Sequence, residues 1–184
     1  VDGATIQRFA DIVGLGNPEL NFGVTNALYC VSCSLDNIPL LAEQNVTRII
    51  PAILENLGEF RSDIITTLVA LMFNLSVSDS TRDVLVLNGF VEVSVQLFDY
   101  VTDSDENTRS LCLAVCHMAC GKVNSTKMVQ QGATKLFCAM AENVNSHKHR
   151  FLQLEDIMRC SASLRNLICI VANPAGTAIN SHPV

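Results

Sequence analysis

Apolar residues in the stretch 63–100 fall into three segments with helical periodicity. The first runs over 64–76, the second and shortest over 81–88, and the third over 90–100. A polar loop separates the first two segments, and Gly89 separates the last two. Because the short segment cannot bury its apolar face alone, the pattern predicts a three-helix unit that packs against copies of itself.

Equivalent positions recur along the whole chain. A glycine landmark is occupied by Gly3, Asn45, Gly89 and Gly132, at separations of 42, 44 and 43 residues. Asn fits this series because it is the non-glycine residue that best tolerates a positive φ. A second landmark, near the end of each long segment, is occupied by Cys30, Asn74, His117 and Asn166. Apolar columns keep the same register: Leu28, Met72, Val115 and Leu164; Val31, Leu75, Met118 and Leu167; Leu41, Leu85 and Met128; Ile49, Val93 and Leu136; Ile53, Leu97 and Met140.

These residues resemble an armadillo repeat, whose unit has a short first helix, a second helix after a glycine and a long third helix ending in an Asn-Leu-Ser-like signature. The residues 74–76 match that signature as they stand and 165–167 match in part, while 30–32 and 117–119 are degenerate forms. HEAT repeats, with two helices per unit, are the neighbouring interpretation, and the extra short segment before each glycine favours armadillo.

The resemblance implies an all-α fold, a right-handed α-α superhelix of about 3.5 three-helix repeats. A single armadillo-like solenoid segment would cover 1–184, with units at approximately 3–34, 35–76, 77–121, 122–173 and a partial unit at 174–184. Because the chain begins at Val1 and stops inside a predicted first helix, we expect a segment of a larger protein with two uncapped ends.

Two local features add detail to this prediction. Pro51 lies inside an apolar stretch over 46–57, so it should either kink that helix or mark its true first turn. The long helix of the first unit is predicted over 18–34 and the short helix that follows over 37–44.

Charge and cysteine usage narrow the function. The formal charge of −6 and pI of about 5.1 disfavour nucleic acid or an anionic membrane surface as the main partner. No apolar run is long enough to span a bilayer, and no signal peptide is recognisable. The eight cysteines lack framework spacing, so we interpret them as reduced core residues of a cytoplasmic protein.

One helix carries a possible metal set. Cys112, Cys116 and Cys120, at i, i+4 and i+8, share a helical face, His117 follows Cys116, and thiolates with imidazole are zinc ligands. However, Cys120 occupies the column of Cys33, Val77 and Cys169, which we assign to the core, and one straight helix cannot wrap three ligands around one ion. The sequence therefore predicts no metal site and no cofactor. With no nucleophile and base at suggestive spacing and no phosphate loop, it predicts no enzyme either.

The resemblance implies a binding groove on the long helices. In the family the second landmark faces the concave groove, so Asn74 and Asn166 are candidates, with His117 as a substitute. Asn26 lies four residues before the landmark, where nuclear-import receptors of the family carry tryptophan; this chain has no Trp, which argues against binding of nuclear-localisation signals. The alternative role of a landmark Asn is a helix cap or a hydrogen bond between repeats.

A longer connection in the last full unit carries the only basic cluster. The second landmark lies 34 residues after Gly132, against 27, 29 and 28 in the earlier units. The extra residues fall near 146–150, and we consider His147, Lys148, His149 and Arg150 a candidate partner-binding loop. A solvated loop, or metal or pH sensing by the two histidines, are the alternatives.

We therefore expect a non-enzymatic protein-interaction scaffold within a larger assembly, cytoskeletal or ciliary, located in the cytoplasm. Its partners would be other proteins, bound through the groove, the convex surface or the uncapped ends, with no nucleic acid, membrane span or small-molecule substrate. The alternative is a transport or adaptor module that binds a linear peptide in the groove.

Overall fold

The computed structural model describes residues 3–101, 104–119 and 125–138, and this part of the chain is all-helical, with no β-strand. The α-helices are α1 (Gly3–Val13), α2 (Pro18–Ser32), α3 (Ile38–Glu43), α4 (Ile50–Leu54), α5 (Arg61–Ser76), α6 (Arg82–Leu87), α7 (Phe90–Val101), α8 (Asp105–Ala119) and α9 (Ser125–Gln130). Residues 133–138 are also helical. Short 3₁₀ turns precede α3, α4, α5 and α6: Leu35–Asn37, Val46–Ile49, Gly58–Phe60 and Asp79–Thr81.

The three predicted segments of the central unit are confirmed as α5, α6 and α7. The stretch 46–57 is not one helix: a 3₁₀ turn leads into α4, and Pro51 stands in the first turn of α4. Proline suits that place because it has no N–H to leave unsatisfied and its φ is already helical. Of the two predicted roles for Pro51, the structure shows the second.

The glycine landmark has one backbone conformation wherever the structure describes its φ. Asn45, Gly89 and Gly132 have φ of 53°, 84° and 92°. Each N–H donates to the carbonyl three residues earlier, at distances of 3.0, 3.2 and 3.1 Å, and so ends the short helix before it. The prediction that Asn45 replaces a glycine at positive φ is confirmed.

The long helices pack side by side in chain order, α2 on α5 and α5 on α8. The predicted apolar columns supply the core between them, because nearly all described members are buried: Leu28, Met72, Val115, Leu75, Met118, Leu41, Leu85, Met128, Ile49, Val93, Leu136, Ile53 and Leu97. Val31 is the partly buried exception. Burying such side chains contributes roughly 1.5–3 kcal/mol each, so these columns are the main source of stability.

The column assigned to the core at Cys33 and Val77 is wrong. Cys33 is exposed, and Val77 keeps 43% of its surface. Cys33 is the C-cap of α2 and Val77 is the C-cap of α5. At these positions the chain leaves the helix, so the side chains do not join the core that the apolar columns form. The interpretation of cysteines as core residues holds for Cys112 and Cys116 but fails for Cys30, Cys33 and Cys138, which are exposed.

Some predictions lie outside the described residues. These are the last long helix with Asn166, Cys120 and Cys169, the longer connection 146–150, and the units beyond residue 138. Among the described helices, none is by itself long and apolar enough for a membrane span. One pair, Gly58–Ser76 with Asp79–Leu87, meets the length and composition together but is bent by 94°.

Candidate functional site

The exposed sides of α2, α5 and α8 bring most of the predicted groove residues together. Asn26 and Cys30 lie on α2, Asn74 on α5 and His117 on α8. Positions four apart share a helix face, so the six residues Asn26, Cys30, Ala70, Asn74, Leu113 and His117 form one surface, which we call the landmark face. No charged side chain occurs in 20–33, 64–77 or 110–119, so this face is uncharged.

Serine hydroxyls join the landmark residues to the preceding long helix. Asn74 Nδ2 donates to Ser32 Oγ at 3.0 Å, and Ser32 Oγ donates to the Tyr29 carbonyl at 2.7 Å. One unit later, His117 Nδ1 lies 2.9 Å from Ser76 Oγ, and Ser76 Oγ donates to the Phe73 carbonyl at 2.7 Å. We call each set of three groups a hydroxyl relay.

The relay fixes the tautomer of His117. Because the hydroxyl hydrogen of Ser76 is used by the Phe73 carbonyl, its oxygen can only accept, and Nδ1 of His117 must carry the hydrogen. The imidazole N–H of His117 therefore donates to a serine hydroxyl oxygen, as the amide N–H of Asn74 does one unit earlier. This equivalence explains why His can replace Asn at the landmark.

The bond from Asn74 on α5 to Ser32 on α2 is the hydrogen bond that was the predicted alternative role of a landmark Asn, and His117 makes the corresponding contact from α8 to α5. Asn74 Nδ2 also lies 3.9 Å from Cys33 Sγ. Its Oδ1 accepts no hydrogen bond from the part of the chain that the structure describes. Cys30, at the same landmark, takes no part in a relay.

A second set of inter-unit bonds escaped the sequence analysis. Asn88 Nδ2 donates to the Ala42 carbonyl at 2.8 Å, and Gln131 Nε2 donates to the Val86 carbonyl at 2.6 Å. Each amide stands immediately before a positive-φ landmark and reaches the end of the previous short helix. The signal was present as Gln44, Asn88 and Gln131, an amide before three of the four landmarks.

The C-terminal end of α2 presents two exposed thiols, Cys30 and Cys33. A hydrogen bond between the Tyr29 side chain and Cys33, followed by the charge of the Cys33 sulfur, raises the pKa of the Tyr29 hydroxyl above its ordinary value. This direction means that the Tyr29 hydroxyl keeps its proton. Asn74 Nδ2 lies 3.9 Å from the same sulfur.

A shallow cleft of about 270 Å³ opens at the other end of α5 and α8. The Arg61 guanidinium carbon lies 5.0 Å from the centre of the Tyr100 ring, a cation–π contact. Asn107 Nδ2 donates to Thr66 Oγ1 at 3.0 Å beside it. Sequence reasoning did not predict this cleft, because its lining residues come from α5, α7 and α8 and share no motif.

Within the described residues, no group of three or more His, Cys, Asp or Glu side chains is placed to hold a metal ion. The candidate loop residues His147, Lys148, His149 and Arg150, and the groove residue Asn166, lie outside the described part of the chain.

Comparison with protein-family models, with curated proteins and with solved structures finds no match for this chain.

Proposed function

We propose that this chain is a non-enzymatic protein-interaction scaffold built as an armadillo-type α-solenoid. The observation that carries the proposal is the uncharged landmark face across three successive long helices. Hydrogen bonds between residues 41 to 46 apart join neighbouring units at the relays and at the amides before the landmarks. Such nearest-neighbour joints support a repeat array that presents one extended surface.

The character of the landmark face favours a protein partner. It combines apolar atoms of Ala70 and Leu113 with the amide groups of Asn26 and Asn74, and lacks the basic residues that nucleic acid would require. An apolar surface with amide hydrogen-bonding groups suits an uncharged segment of another protein. We expect that partner within a cytoskeletal or ciliary assembly.

A pair of photo-crosslinking variants tests this proposal. A photoreactive amino acid at Asn26 should capture a partner protein in cells, and the same group at Leu87, on α6, is the control. Leu87 is 67% exposed and lies outside the landmark face. Capture at both positions to the same extent, or at neither, contradicts the proposal.

Charge insertion gives a second test, at Val77, three residues after Asn74 of the landmark face, and at Leu87, outside that face. Val77→Lys places a cation at the C-cap of α5, and Leu87→Lys places one in the last residue of α6. Lysine is favourable at both helix ends, so both variants should fold. We expect Val77→Lys to reduce recovery of the captured partner about tenfold or more, since an unpaired buried charge costs over 1.4 kcal/mol. Leu87→Lys should leave recovery unchanged.

The alternative, a peptide-binding adaptor, is favoured by one observation. Asn74 holds Ser32 with its Nδ2 while its Oδ1 faces no donor in the described residues, which suits a backbone N–H of an extended peptide. Peptides selected from a random library for tight binding should lose affinity when Asn74→Ala and Asn166→Ala are combined. Gln96→Ala, an exposed change on α7, is the control. Selected peptides that bind the double variant equally well exclude the groove.

A further inference from the structure

The end of α2 carries a pair of cysteines, Cys30 on the landmark face and Cys33 at the C-cap of the helix. Cys30 and Cys33 are both exposed and reduced, and they stand three residues apart in the last turn. Cysteines in this chain are predicted from the sequence to be core residues without a metal, so the exposure of this pair is unexpected. A paired, accessible dithiol is a chemical site rather than a packing element.

Helix geometry decides which chemistry fits the pair. Positions three apart on a helix have Cβ atoms about 5–6 Å apart. A disulfide needs about 3.5–4.5 Å between Cβ atoms, so closing one would distort the last turn of α2. An ion between the two sulfurs, with metal–sulfur bonds of about 2.3 Å each, spans about 4–5 Å without such distortion.

The number of available ligands limits which metal ion can bind. Zinc takes about four ligands and calcium six to eight, and the described residues hold no group of three or more candidate ligands. Two thiolates suffice for a soft ion of low coordination number, and thiolates select Cu(I) over hard cations. We propose that Cys30 and Cys33 bind a soft monovalent metal ion of the Cu(I) class at the C-terminal end of α2.

The surroundings of the pair are those of a ligand site. Asn74 Nδ2 lies 3.9 Å from Cys33 Sγ, and an outer donor of this kind orients a metal-bound sulfur. On binding, each thiol loses its proton to solvent, so one Cu(I) replaces two protons and the complex carries one negative charge.

Transfer of Cu(I) from its coloured bicinchoninate complex, with ascorbate as reductant, tests the site. The wild-type chain should remove one equivalent more than Cys30→Ser or Cys33→Ser. Cys138→Ser removes another exposed thiol and should behave as wild type. Circular dichroism of each variant checks the fold. Equal copper uptake by wild type, Cys30→Ser and Cys33→Ser overturns the proposal.

The outer donor Asn74 gives a second measurement, the affinity for Cu(I). Asn74→Ala should weaken this affinity about tenfold, and Gln96→Ala, an exposed change on α7, should not change it. Trypsin releases residues 9–48 as a peptide whose only cysteines are Cys30 and Cys33. If the reduced protein takes no copper at this pair and the peptide from air-exposed protein lacks two hydrogens, the pair is a disulfide and the metal site is excluded.

Discussion

Single side chains join neighbouring helices in this protein, and the relay at Ser32 is the clearest case. Asn74→Ala removes the donor, and Ser32→Ala removes the acceptor. Each change should lower the free energy of unfolding by about 1 kcal/mol, and a double-mutant cycle should show a coupling of roughly 0.5–1.5 kcal/mol. Urea unfolding followed by circular dichroism measures both quantities. Gln96→Ala, which removes no such bond, is the control, and additive effects of the relay pair would contradict the bond.

Tyr29 offers a prediction at alkaline pH. Its folded-state pKa is raised by the hydrogen bond to Cys33 and by the cysteine charges, so its proton stabilises the folded state below pH about 10. That contribution is lost as the pH rises through the folded-state pKa. In a Tyr100→Phe background, where Tyr29 is the only tyrosine, ultraviolet titration should show a pKa above the ordinary value. Cys33→Ala should lower it, and an unchanged titration would contradict the contact.

The sequence register identified which residues share the landmark face, but it could not identify their hydrogen-bond acceptors. The register placed Asn74 and His117 in one column, which the relays bear out. Their acceptors, Ser32 and Ser76, belong to another helix, and only the offset between packed helices identifies them. Cys33 was misassigned for a related reason: a column records equivalence between units but not whether the position faces the core or solvent.

Local signals determine where helices begin in this chain. Asn17 caps α2, because its side chain accepts from the Glu19 N–H at 2.9 Å and the Leu20 N–H at 3.2 Å. Asn17→Ala should reduce stability by about 1 kcal/mol. Ser34 precedes a 3₁₀ turn without a side-chain cap bond, so Ser34→Ala should change little. Thermal unfolding of both variants checks the difference, and equal effects would rule out the cap.

Helix positions were predictable wherever glycine, proline or a strong apolar period sets them. The three positive-φ landmarks follow from backbone chemistry, which also limited Pro51 to two roles, a helix kink or a first turn. The 3₁₀ turns before α3, α4, α5 and α6 were not predicted, because a 3₁₀ turn has no hydrophobic period of its own. The exact ends of α2 also differed, since its last predicted residues continue into a turn.

Helix α5 lies between α2 and α8, so damage to its core should spread in both directions. Leu68 is fully buried on α5, and Leu68→Ala should cost about 2–5 kcal/mol. Hydrogen exchange should then accelerate on α2 and α8 together. Ile6→Ala, a similar change on α1, should loosen α1 and α2 more than α8. Acceleration confined to α5 would contradict nearest-neighbour coupling.

The hydroxyl relays also constrain how the chain tolerates insertions. One added residue within α5 would rotate every later side chain by about 100° and carry Asn74 away from Ser32. The same residue in a connecting turn would leave both partners in place. The spacings between the glycine landmarks are 42, 44 and 43 residues. Unit length thus varies, while the hydrogen bonds between the long helices stay aligned. The hydrogen bonds at Ser32 and Ser76 thus fix the length and rotation of the long helices that they join. Insertions and deletions are therefore confined to the connecting turns.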